Sequence, residues 1–597
     1  MSLNFLDWSI IAFILLIYLV IGFYTSRTAG KNLNEYFLSG RNMPWWLLGI
    51  SMVATTFSSD TPNLVTDIVR NDGVSGNWAW WAFLLTGMLT VFVYARLWRR
   101  SGISTDLEFY ELRYSGKPAS FLRGFRALYL GFFFNIFIIA TVTLAMIKIA
   151  GALLNTDPIT TVIIASVITV AYSMLGGLRS VILTDFVQFT IAMVGAVWAA
   201  FYVVNLPEVG GIDAVLTNVN VVDRLSMMPD FSKPDVYIPL MIIPLAVQWW
   251  SVWYPGAEPG GGGYIAQRML SAKNEDHAVK ATLLFNVAHY ALRPWPWIIV
   301  ALCSLVVFPD LASLKSAYPD LPDSVIKDDL AYPAMLGLLP AGLLGLVAAS
   351  LISAFMSTVS THLNWGSSYL VIDFYKRMIE PEASEKKLVR LGKLFTILLM
   401  VCAGVLALFL ESAKQAFDLL LQIGAGTGLI FILRWFWWRI NAFSEIWAMI
   451  VSFVLAFYFQ LVHTQLGFEA IPDHMQLIYG VLITTIAWLI ATYATKAVNP
   501  KVLIEFCEKI NPGGPGWRHI QKMRMTDLKP KKAWSVPYEI AAMLTGSVMV
   551  YAFLFTTGSI IYGNYNQAGL LGALGLGMLY VLIRLWNKIR RLREITS

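Results

Sequence analysis

The sequence predicts an all-α polytopic membrane protein. Three observations carry that reading. Long apolar runs recur from one end of the 597 residues to the other, and 57% of the chain is hydrophobic; about 20 apolar residues suffice for one helical crossing. Only 14% of the residues are charged, against about a quarter in soluble domains. The apolar segments are continuous rather than alternating, which argues against a β-barrel.

In chain order, the expected spans are 6–24, 44–69, 76–98, 124–152, 158–174, 181–204, 236–254, 282–308, 337–373, 390–411, 414–436, 443–462, 475–495, 537–560 and 567–588. That is about fifteen helices, with 158–174 short for a crossing and 337–373 long. The first is read as a retained helix and not a cleavable signal, because Asp7 stands where a basic segment would be and many spans follow. Glycines 569, 572, 575 and 577 in the last span suit close helix packing, within the chain or to another subunit.

Loop charge sets the orientation. With the N-terminus outside, Arg27, Lys31, Arg41, Arg96, Arg99, Arg100, Arg113, Lys117, Arg123 and Arg126 fall inside, as do the basic segment 496–535 and the C-terminal tail. The opposite loops, 205–235 and 309–336, are acidic. The net charge of +7 thus reflects inner loops beside an anionic leaflet, not nucleic-acid binding. Cys303, Cys402 and Cys507 lie in spans or on the inner side and imply no disulfide framework. No metal cluster, catalytic triad or phosphate loop is visible, so an enzyme is not expected.

Two spans carry helix breakers. In "ISMVATTFSSDTPNLVTDIV" a run of hydroxyls and Asp60 precede Pro62 in mid-span, and span 236–254 runs into "WYPGAEPGGGGYIAQR". Lipid offers no partners for loose backbone groups, so such breaks belong inside the protein. Each break opens a block of five spans, 44–204 and 236–436, and an odd number of crossings makes the second block inverted. Discontinuous helices at matching places in two halves point to a transporter site. Residues 1–43 are then an extra N-terminal helix and loop, and 437–597 additional C-terminal helices. A simple proline kink, or an interfacial loop for the glycine tract, is the plainer alternative. Tyr254 is placed closest to a solute at the second break. Glu258 is read either as a ligand or, more simply, as a solvated loop acid or helix-end partner.

The long span 337–373 crowds Ser353, Ser357, Thr358, Ser360 and Thr361 into its middle, with Ser353, Ser357 and Ser360 on one face. Hydroxyls back-bonding to carbonyls one turn earlier would explain single members. Opposite a broken helix, the same oxygens suit a hard monovalent cation, with freed carbonyls adding negative partial charge.

Four motifs in order, "TDLEFYELRYS", "GGLRSVILTDFVQF", "YIAQRMLSAKNEDHAVK" and "AFMSTVSTHLNWGSSYLVIDFYKR", make residues 6–495 resemble the sodium/solute symporter family. The resemblance implies a five-plus-five inverted-repeat, leucine-transporter-type core with Na+ as coupling ion. Carried over, it implies sodium ligands at the carbonyls of Ala54, Phe57 and Ala354 and the hydroxyls of Ser357 and Thr358. It implies an ion-exit role for Asp185 and an inner gate at Tyr264. Positions that bind sugar in the sugar branch read Thr56, Thr61, Trp80 (or Ala79 with a one-residue shift) and His289 here, so a glucose-type site is not implied; Gln422 matches a solute-contacting glutamine.

Asp60, ionisable within a span, is a pathway residue by default, or a structural partner of Arg293. Arg293 itself either faces the cavity or sits near an interface. The expected function is symport of Na+ with a small polar organic solute, anions included, across the inner or plasma membrane. A proton-coupled or uncoupled carrier is the alternative on the same fold, and a transporter-like sensor the alternative of another class.

Overall fold

The computed structural model describes residues 3–29, 32–154, 156–252, 258–319, 326–410, 424, 426–523 and 534–594. Among these the chain is helical, with one isolated bridge between Met43 and Ala272. The helices that matter below are α1 (Phe5–Ala29), α2 (Trp45–Thr56), α3 (Asp60–Asp72), α4 (Val74–Ser101), α5 (Gly116–Gly151), α6 (Pro158–Val204), α7 (Gly263–Ser271), α8 (Glu275–Val307), α9 (Leu343–Ile379), α10 (Glu385–Ala407), α11 (Ala442–Gln460), α12 (Asp473–Ala494), α13 (Val536–Ile561) and α14 (Tyr565–Arg593).

Eleven helices among the described residues are long and apolar enough to cross a membrane, and Trp45–Thr56 and Pro158–Met174 are shorter apolar helices. Two expected spans break among the described residues. Span 44–69 divides into α2 and α3. Span 236–254 is helical from Pro234 to Ala246 through a π turn at Ile238–Ile242, leaves the helix at Val247 and ends in the single turn Gln248–Trp250. Pro239 and Pro244 each lack an N–H for the preceding turn, which loosens the ladder beside that π turn. Of 414–436, the described residues contribute the helix Gly428–Leu433.

α2 packs against α6, α8 and α9, and α1 lies against α6 and α9. Asp7 joins α1 to the start of α9: its Oδ1 accepts from the backbone N–H of Gly342 at 2.7 Å and of Gly345 at 2.8 Å. These are orphan donors of a helix N-terminus, where an acidic side chain is favourable. The two expected spans 158–174 and 181–204 run on as α6 across a kink at Gly177, at φ +55°. A Cβ there would lie 2.5 Å from the Tyr36 carbonyl, so only glycine fits.

The outermost pair, α13 and α14, pack on each other. Gly575 accepts the Phe553 ring and Gly572 faces Thr556, while Gly569 and Gly577 have open space before them. The glycine row therefore divides between an intrachain contact and an outward face.

Candidate ion and solute site at the broken helix

α2 stops at Thr56, and Phe57 is extended at φ −113°, ψ 132°. β-Branched and hydroxyl residues at 55–59 favour an end here, and Pro62 has no N–H to continue the ladder into Ser58. The last regular bond is from Phe57 N–H to the Val53 carbonyl, at 3.2 Å. The N–H of Ser58, which a continuous helix would give to Ala54, donates instead to Thr61 Oγ1 at 3.1 Å. The carbonyls of residues 54–57 thus lose their helical partners.

The hydroxyl face of α9 meets these carbonyls. Thr358 Oγ1 donates to the Thr55 carbonyl at 3.0 Å and lies 3.3 Å from that of Phe57. Thr55 and Thr361 share a hydrogen bond between hydroxyls at 3.0 Å. Ala54 and Ala354, one turn before Thr358, are buried. Ser357 Oγ turns to Asp185 Oδ1 at 2.7 Å. The other oxygen of Asp185 accepts from Ser51 and faces Arg268 Nη2 at 3.6 Å. The site is therefore neutral carbonyls and hydroxyls with one carboxylate a layer behind. Hard oxygen donors of this kind suit a hard cation.

Tyr264 packs against the end of α2. Its hydroxyl lies 2.9 Å from Thr56 Oγ1, which also donates to the Met52 carbonyl at 2.7 Å. The predicted gate residue thus touches a predicted solute residue. One turn on, Arg268 donates to Thr361 Oγ1 at 2.7 Å and to Ser51 at 3.2 Å, tying α7 to α2 and α9. His362 is a packing residue, its Nδ1 2.8 Å from Asn135 Oδ1.

Glu258 requires a correction: it is not a solvated loop acid. It is buried and paired with buried Arg126. The glycine tract is not an interfacial loop either, because Gly260–Gly263 are buried. Gly260 and Gly261 sit at φ +87° and +92°, and a Cβ on Gly260 would lie 2.9 Å from the Tyr94 ring. Trp98 Nε1 donates to the Gly260 carbonyl at 2.8 Å. Asp106 completes this latch, accepting from Gly263 N–H at 2.9 Å and from the Tyr369 hydroxyl. On the same side, a cavity of about 520 Å³ is lined by Asn32, Asn34, Glu108, Arg123, Lys376 and Glu385, among others.

On the other side of the break, Asp60 opens α3 and is half-buried. Its charge acts on Arg293, but the two make no direct ion pair, so the alternative reading of Asp60 as a structural partner of Arg293 does not hold. Trp80 lies 5.8 Å edge-to-face from His289, and its indole N–H is fixed on Asn77 Oδ1 at 2.8 Å. His289 Nε2 is 3.2 Å from Arg293 Nη2. Thr61 is used by Ser58 N–H, as above. Tyr254 and Gln422 lie outside the described residues.

Arg268, Arg126 and Asp106 were not singled out from the sequence. Arg268 was within reach, since it follows Tyr264 by four residues and shares its face. Arg126 and Asp106 carried no local signal, because their partners are distant in the chain.

With this geometry in hand, comparison with known proteins is decisive. The sequence model of the sodium:solute symporter family matches residues 36–452. The chain belongs to the sodium:solute symporter family. Its relatives include the sodium/glucose cotransporter of Vibrio parahaemolyticus, 25% identical over 515 residues, or 83% of this chain and 91% of that one. Sodium/myo-inositol cotransporter 2 of Oryctolagus cuniculus is 26% identical over 491 residues, covering 76% and 69%. A solved Na+-coupled sialic acid symporter, in a substrate-bound outward-open state, superposes with a TM-score of 0.66 at 21% identity, covering 83% of this chain and 99% of that one. The leucine-transporter-type fold follows from that likeness. This symporter is a multi-pass membrane protein and a sodium-coupled solute transporter, not an enzyme.

Proposed function

We propose that this symporter carries a small polar organic solute into the cell with Na+ by alternating access. Sodium binds between the end of α2 and the hydroxyl face of α9, at the carbonyls of Ala54, Phe57 and Ala354 and the hydroxyls of Ser357 and Thr358. The observation that carries this is the Thr358 hydroxyl held on the Thr55 and Phe57 carbonyls. A hydroxyl and freed carbonyls already converge there, and a cation needs little rearrangement to replace the hydroxyl proton as their partner. Neutral ligands hold it weakly enough for release.

The solute occupies the space around Thr56, Asp60, Thr61, Trp80 and His289, with Tyr254 and Gln422 contributing. Tyr264 gates the inward path through its contact with Thr56, and Asp185 lies on the ion's route out, behind Ser357. The repeats are 44–204 and 236–436, flanked by 1–43 and 437–597. The N-terminus is outside and the C-terminus inside on this reading, which the basic loops support. Sodium ties α2 to α9 and so biases the equilibrium between states; by linkage, solute tightens sodium binding by the same factor.

The test uses sodium alone. The purified symporter is melted while NaCl replaces choline chloride at constant ionic strength and pH. A saturable rise in Tm with sodium is expected. A Tm that follows pH and ignores sodium would instead favour proton coupling.

A further inference from the structure

The side of the break away from the ion holds a buried cation with unused donors. Arg293 is 2% exposed. It follows a π-helical turn, Ala288–Leu292, and precedes Pro294, a local widening of the kind often found at functional sites. Three rings surround its guanidinium: the Cζ lies 5.1 Å from the centroid of Trp297 and 5.7 Å from those of Phe57 and Trp80. Such contacts favour a cation but use none of its five N–H groups.

Among the described residues, Nη2 alone has a partner, His289 Nε2 at 3.2 Å. Among the described residues, Nε and Nη1 have none. Arginine can only donate, so His289 Nε2 must accept, and the imidazole proton then sits on Nδ1. That nitrogen is also buried without a partner among the described residues. Two neighbouring side chains therefore present three unused donor nitrogens and no acceptor. A buried charge is stable only when paired and hydrogen-bonded, and Asp60 acts on Arg293 through its field without touching it.

We propose that the solute is a small monocarboxylate whose carboxylate is held by Arg293 and His289; this rests on the symport reading above. A planar carboxylate matches the guanidinium fork. Asp60 repels a second carboxylate and accepts from O–H or N–H groups at the solute's other end. Hydroxy acids and amino acids fit this description; dicarboxylates and neutral sugars do not. The same geometry joins solute to ion: the Phe57 ring faces Arg293, while its carbonyl faces Thr358.

The experiment melts the purified full-length symporter with three matched pairs of probes: gluconate and glucose, lactate and lactamide, glycine and glycinamide. Each is run in sodium chloride and in choline chloride. In at least one pair the carboxylate should raise Tm in sodium while its neutral partner does not. Arg293→Lys, which keeps the charge but loses the fork, should weaken that response on the order of 30-fold or more. His289→Phe, which keeps the ring contact with Trp80, should weaken it in the same direction and serves where Arg293→Lys does not fold. The proposal is overturned if no carboxylate outperforms its neutral partner, or if a folded variant keeps the full preference. Carboxylate stabilisation that is equal in choline would sink sodium coupling and leave the carboxylate assignment standing. A neutral probe that stabilises only in sodium would do the reverse.

Discussion

Thr358→Val is the sharpest probe of the ion site. Valine keeps the β-branched shape and removes one oxygen, the one that lies 3.0 Å from the Thr55 carbonyl and 3.3 Å from that of Phe57. A hydrogen-bond-strength interaction with a charged group is worth about 1.5–3 kcal/mol, or about 10- to 100-fold in affinity. An opposing effect lowers this. In the ion-free state the same hydroxyl satisfies the freed carbonyls, and its removal leaves them short of a donor, which costs about 1–3 kcal/mol and itself favours sodium. With the opposing cost taken at about 1 kcal/mol, about 0.5–2 kcal/mol remains, a rise of about 2- to 30-fold in the sodium concentration that gives half of the thermal shift. Thr358→Ser keeps the oxygen and should stay close to the parent. The assay is Tm against NaCl in choline chloride. A folded Thr358→Val protein with unchanged sodium dependence would refute the site, and a serine variant as weak as valine would assign the effect to packing.

Two further outcomes concern the latch. Glu258→Gln leaves the Arg126 charge buried without its partner. Breaking a buried pair costs about 3–5 kcal/mol, so alkylation of a reporter cysteine at Ile265, in a background without Cys303, Cys402 and Cys507, should accelerate on the order of 100-fold in the absence of sodium; an unchanged rate would show that the pair does not hold the gate. Asp106 supplies pH dependence. Burial, with the nearby charge of Glu258, raises its carboxyl to about 6, against the opposing pull of the Tyr369 hydroxyl, the Gly263 N–H and Arg126. A raised acid binds its proton more tightly in the closed state. Its contribution to closure is thus full at low pH and lost as pH rises through about 6. Reporter alkylation, normalised to the unfolded chain, should therefore slow between pH 7.5 and 5.5, and Asp106→Asn should flatten the profile; a profile that survives the substitution assigns it to another group.

The break at 57–59 was readable because its causes are local: hydroxyls that compete for backbone and a proline without an N–H. The hydroxyl face of α9 was readable because helical spacing is fixed, so Thr361 had to lie beside both Ser357 and Thr358, one turn on. Glu258 was misjudged for the opposite reason. Its partner Arg126 lies 132 residues away, and nothing near a glycine-rich stretch reports burial. Arg293 falls between these cases. Its distance from His289 is a legible i, i+4 relation, yet the π-turn that turns both toward the break depends on packing against α2 and the Trp80 segment.

Phe57 shows why those two kinds of information must combine at the point of function. Local chemistry makes it the first residue outside α2, so its carbonyl is free for an ion. Tertiary packing then lays its ring between Trp297, at 5.3 Å, and Arg293. On the proposed sites, this one residue stands between ion and solute. A backbone shift that carries Phe57 as a whole moves its carbonyl and its ring together, which gives the two binding events a common part. Under that proposal coupling needs no distant relay, because the residue where the helix breaks takes part in both.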